Sequence, residues 1–233
     1  MAPPFLYLEL EEISIRLILN DLEKKSSFTS TLLLTDDLRR RLAVYLAGVR
    51  GCWRQETHQG PFLFWGVDAK RRRYSLFPST DWTTLQGVDL DGISHVIPFN
   101  ISSLRDNLQR RAIIPGLFLS FLHVYLLRGY RVCGGYFQGN YLQQMQLGLC
   151  RALRETRLFA DWEPFIRTKK SFYLSGPILL TGHDGGVYPY GTLEMMENGG
   201  FTPAQIHELL DMTVTQSHIN GLHGIETDTA VNN

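Results

Sequence analysis

Ala112 to Leu127 is a run of 16 residues carrying mostly apolar side chains, and a chain of 233 residues has few ways to hide it. It falls short of the roughly 20 residues that span a bilayer, and Pro115 and His123 interrupt it. A helix that is apolar nearly all round must be enclosed by the rest of the protein. The run therefore predicts a central helix from Gly116 to Leu127, with Leu117, Phe118, Phe121, Leu122, Tyr125 and Leu126 inward.

Charge narrows the partners. Lys and Arg total 23 against 23 Asp and Glu, and the isoelectric point is near 7.1, which argues against binding nucleic acid or anionic lipid by bulk electrostatics. Cys52, Cys133 and Cys150 are odd in number and widely spaced, matching neither a disulfide framework nor a paired zinc pattern. The N-terminal apolar stretch carries Glu9, Glu11 and Glu12, so it does not read as a secretory segment. A reducing, cytoplasmic setting is expected, with no membrane association, no metal and no identifiable cofactor.

Along the chain, Phe5 to Leu19 fits a strand or a helix equally well. Thr35 or Asp36 predicts the cap of a helix with Leu38, Leu42, Tyr45 and Leu46 on its apolar face, Arg39 to Arg41 on its polar face and Gly48 as its stop. Pro61 to Val67 and Arg73 to Phe77 flank the turn Asp68 to Arg71 as hairpin strands, and Gly92 to Phe99 adds another. Ser102 or Ser103 would cap a short helix before the central one. Tyr130 to Gly135 reads as a strand and Asn140 as the cap of the next helix, with Phe159 to Lys170 as loop. Thr202-Pro203-Ala204-Gln205 is a capping box, and Thr213-Val214-Thr215-Gln216 repeats it, so two short helices close the fold. No linker or internal repeat divides the sequence. The expectation is an α+β protein: a single domain over 1–223 with a small antiparallel meander, a buried central helix and a C-terminal helix pair, then a polar, frayed tail over 224–233.

Gly51-Cys52-Trp53 resembles the Gly-Cys-Trp at the nucleophile of papain-like and transglutaminase-like enzymes, with His95 placed 43 residues later as a prospective base. In those enzymes the nucleophile opens a helix; here the helix precedes Cys52 and an extended hairpin follows, so no family is assigned. Cys133, Gly134, Gly135, Gln138 and Asn140 form a glycine-rich stretch before a helix, where free N–H groups would hold a substrate. Arg50 is added as an anion-binding side chain. His183 and Asp184 in a turn, with Glu194 beyond, complete the catalytic candidates. His207, Asp211, His218 and His223 lack any recognised zinc spacing and read as a solvated face. The runs Arg39 to Arg41 and Lys70 to Arg73 would bind phosphate only if they converged.

These residues lead to an expected small-molecule enzyme, a transferase or hydrolase acting on a polar or anionic metabolite. Its pocket would be built from 133–140 and 183–194. The alternative is a non-catalytic protein-interaction or accessory domain, as a homo-oligomer or with a partner protein. A helix-turn-helix over Phe201 to Leu222 is third, because His207, Asp211 and Ser217 occupy positions that such motifs give to other residue types and no Lys or Arg follows to touch phosphate.

Overall fold

The computed structural model describes residues 9–24, 26–54, 60–130, 133–134, 138–159, 161–169, 173–174, 179–181, 187–189, 197, 199–213 and 215–216. The protein is α+β, and its chain forms two compact units, one of Met1–Arg131 with Tyr141–Ser171, the other of Val132–Asn140 with Phe172–Asn233.

In the first unit the ambiguous N-terminal segment is helical: α1 spans Leu10–Leu22 and buries Ser14, Ile15, Ile18 and Leu22 at helical spacing. Helix α2, Phe28–Leu34, has no periodic signal long enough to announce it; Ser27 caps it by accepting from the N–H of Ser30. Helix α3 follows at Asp36–Leu46 and buries Leu38, Leu42 and Leu46 as expected. Arg39 departs from the expected polar face. Its guanidinium turns inward, donates to Leu33 O at 3.0 Å and Asp36 Oδ1 at 3.1 Å, and lies 4.4 Å over the Phe99 ring. A carbonyl, a carboxylate and an aromatic face stand in for part of its water, while Nε is buried without a hydrogen-bond partner among the described residues.

Seven short elements come next: β1 (Phe64–Val67), β2 (Arg73–Ser75), β3 (Phe77–Pro78), β4 (Thr84–Val88), β5 (Ser94–Pro98), α4 (Ile101–Gln109) and β6 (Ile113–Pro115). They pair antiparallel in the orders β2-β1-β6 and β3-β4-β5. The cap of α4 is Asn100 rather than a serine, since its Oδ1 accepts from Ser103 N at 2.9 Å.

The central helix is present in two pieces, α5 at Leu117–Phe121 and a π-helical segment at Leu122–Leu126. Phe118, Phe121, Leu122, Tyr125 and Leu126 are buried, while Leu117 is half-buried. Helix α1 packs against α2, α4, α5, the π-helical segment and β6, so it is the hub on which the apolar run closes. Helix α6, Gln138–Thr156, buries Leu142, Met145, Leu149 and Leu153. Its start at Gln138 places Asn140 inside the first turn, not at the cap. The stretch after Phe159 is not all loop, because α7 occupies Trp162–Arg167 and the Trp162 ring lies 5.2 Å from that of Phe28.

The second unit contains β7 (Cys133–Gly134) parallel to β8 (Tyr173–Leu174), β9 (Leu179–Thr181) antiparallel to β10 (Val187–Pro189), and helix α8 (Pro203–Asp211). Both capping boxes form. Thr202 and Gln205 exchange bonds at 2.9 and 3.3 Å, and Thr213 and Gln216 do so at 2.8 and 3.2 Å. No helix among the described residues is long and apolar enough to cross a membrane.

Candidate functional site

The meander contains a repeat that the sequence reading missed. Gly66-Val67-Asp68 and Gly87-Val88-Asp89 stand at the same place in two hairpins, β1–β2 and β4–β5, 21 positions apart (66 against 87). Each aspartate anchors its loop in the same way. Asp68 Oδ1 accepts from the N–H groups of Lys70 and Arg72, both at 2.8 Å, and Asp89 Oδ1 from those of Asp91 and Ile93, both at 2.9 Å. The fourth residue of each loop has positive φ: 62° at Arg71 and 80° at Gly92. Such a turn suits glycine and costs an arginine backbone strain. Phe64 and Leu76 in the first hairpin, and Leu85 and Ile97 in the second, are the equivalent buried pairs. Only the three positions Gly, Val and Asp are identical between the hairpins, too few to show as sequence similarity.

The Tyr74 ring covers Gly66 and its edge also reaches Gly87. Tyr74 lies opposite Gly66 and His95 opposite Gly87, and the two rings stack on one another with centroids 4.7 Å apart. The hairpins then differ in what the second carboxylate oxygen holds. Asp68 Oδ2 accepts from Arg72 Nε at 2.7 Å, whereas Asp89 Oδ2 meets His95 Nε2 at 2.8 Å. The His95 bond, followed by the loop N–H of Ile93, holds the Asp89 carboxyl below the usual carboxylate range. Because that carboxylate accepts, Nε2 carries the hydrogen, and in the neutral ring Nδ1 keeps the lone pair.

This stacked pair lines a groove of about 690 Å³. Trp65, Arg73 and Ser75 contribute from the first hairpin, and Gln86, Val88, Ser94 and Val96 from the second. Lys70 and Arg72 both reach Asp91, at 2.9 and 2.7 Å, tying the loop tips together. Most of the basic runs are thus spent on carboxylates: Arg72 on Asp68, Arg73 on Glu11, Arg40 on Asp36, and Arg41 on Asp37 and Glu155.

The other candidates fall elsewhere. Cys52 is buried in the bend after α3, and burial pushes its thiol up to about 12, the opposite of what a nucleophile needs. His95 is engaged by Asp89 and Tyr74. Relative to an ordinary value of 9.0, a thiol at about 12 holds roughly 10³-fold less thiolate at pH 8. Native protein is accordingly expected to leave Cys52 unlabelled by iodoacetamide under conditions that label the unfolded chain; mass spectrometry of the peptide checks this.

Arg50 is exposed in the turn after α3. Cys133 and Gly134 form β7, Gln138 is buried in the first turn of α6 and Asn140 is exposed there. Gly135, His183, Asp184 and Glu194 lie outside the described residues, as do His218 and His223. His207 is exposed, with Nδ1 2.8 Å from Pro203 O. Among the described residues no three His, Cys, Asp or Glu side chains converge as a metal site. No family model, curated protein or solved structure matches the chain.

Proposed function

We propose that the protein is a cytoplasmic small-molecule enzyme whose substrate, a polar or anionic metabolite, sits in the groove between the two hairpins. The observation that carries this reading is the Asp89–His95 bond at 2.8 Å in a groove large enough for a metabolite. Asp89 fixes the ring and its tautomer, His95 offers Nδ1 as the acid–base atom, and Arg73, already paired with Glu11, lines the groove beside them. Transfer or hydrolysis at a polar centre suits that set, with Gln86 and Ser94 as orienting groups.

A second reading has one observation in its favour. Val88, Leu90, Ile93 and Val96 are all exposed on the β4–β5 hairpin, as a protein-binding surface would present them. A thermal-shift screen against metabolites separates the two. A ligand at 100 times its Kd stabilises by about 2.7 kcal/mol. A hit on the wild type that weakens at least tenfold in His95→Ala and is untouched by Ile93→Lys, on the exposed hairpin face outside the groove lining, supports the enzyme. Hits indifferent to His95→Ala, or none at all, sink it.

A further inference from the structure

Helices α1 and α2 meet the π-helical segment at His123, whose side chain is wholly enclosed. Its Nδ1 lies 2.8 Å from Leu119 O, and its Nε2 lies 2.8 Å from Thr29 Oγ1. The Thr29 hydroxyl is also 2.9 Å from Asp21 Oδ2, and Arg128 donates to Asp21 Oδ1 at 2.8 Å and to His123 O at 3.0 Å.

Hydrogens can be counted along this row. A carbonyl only accepts, so Nδ1 carries a hydrogen, and in the neutral ring Nε2 is an acceptor. Asp21 Oδ2 is an acceptor too. The single Thr29 hydrogen therefore serves one of them and leaves the other without a donor. One more proton on the ring completes the row: Nε2–H donates to Thr29, and the Thr29 hydrogen turns to Asp21.

We propose that Asp21, Thr29 and His123 form a proton switch, which takes up one proton on acidification and resets the Thr29 hydroxyl that joins α1 and α2 to the π-helical segment. Among the described residues, the charges that act on the ring are Asp21, from α1, and Arg128, beyond the end of its own segment; α2 brings only the Thr29 hydroxyl. Burial, opposed by the bond to Leu119 and by Asp21, pulls the imidazole down from 6.5 to about 4. The native ring is therefore neutral at pH 7. Between those values the unfolded chain binds more protons than the folded one, so stability is full above about 6.5 and is lost as pH falls toward 4. The row meets the chain where the helix has already traded its regular bonds for a π turn, with Leu127 N donating to Leu122 O at 2.9 Å.

The test is a nuclear magnetic resonance titration of the His123 ring in the full chain, from pH 8 downward, in wild type, Thr29→Val, Thr29→Ser and Asp21→Asn. The wild-type ring should hold its hydrogen on Nδ1 at pH 7 and titrate well below free histidine. Thr29→Val and Asp21→Asn should lower the midpoint by about one unit, while Thr29→Ser keeps it. A midpoint near 6.5, one unmoved by both Thr29→Val and Asp21→Asn, or a ring still neutral when the chain unfolds would each overturn the switch.

Discussion

Phe121→Ala is expected to cost about 3–5 kcal/mol of folding stability. Phe121 is 3% exposed at the junction of α5 and the π-helical segment, and its ring lies 6.0 Å from that of Tyr141 on α6. Truncation there removes a large apolar ring from the place where the central helix changes its turn, and a helix held by neighbours on several sides cannot collapse into the gap. Urea unfolding measures the loss; a value below about 1 kcal/mol would place the helix at the periphery.

That expectation was legible from composition alone, because sixteen mostly apolar residues have one comfortable location. The capping boxes at Thr202 and Thr213 were equally legible, since each consists of side chains bonding to backbone within four residues and needs nothing from the rest of the fold. What escaped the sequence depends on distant partners. Arg39 occupies a polar-face position and is buried only because Leu33 O, Asp36 and Phe99 converge on it. Helix α2 is seven residues long, too short for a periodic signal, and α7 is shorter still. The π turn at Leu122–Leu126 shifts the side-chain register in a way that no period of 3.6 describes.

The candidate site shows the same division. His95 was readable as a chemically capable residue, but its proposed partner was Cys52, chosen from a local tripeptide. The residue that holds it is Asp89, six positions away across a hairpin loop. The repeat would have supplied the signal: an aspartate in the same setting as Asp68, whose carboxylate already has loop N–H groups to accept, leaves one oxygen for a side chain on the returning strand. In the first hairpin Arg72 takes it and the ring opposite Gly66 is a tyrosine; in the second no arginine stands at Ile93, and a histidine replaces the tyrosine.

The two glycines of the repeat should respond differently to the same substitution. Neither has positive φ, so an added methyl group meets only steric resistance. At Gly87 a Cβ would lie 2.3 Å from Ser75 O, a backbone atom of β2 that cannot retreat without opening that strand. At Gly66 it would lie 2.1 Å from Tyr74 Cζ, and a ring can tilt away once it gives up its stack on His95. Gly87→Ala is therefore expected to cost about 3 kcal/mol and Gly66→Ala about 1–2 kcal/mol. In a Tyr74→Ala background the obstacle at Gly66 is gone, so Gly66→Ala should become nearly neutral, whereas Gly87→Ala should keep most of its cost. Urea unfolding of the four proteins and their parents gives both coupling energies. Equal rescue of the two glycines by Tyr74→Ala would mean that the ring, and not the approach of β4 to Ser75, sets the spacing of the hairpins and with it the width of the groove.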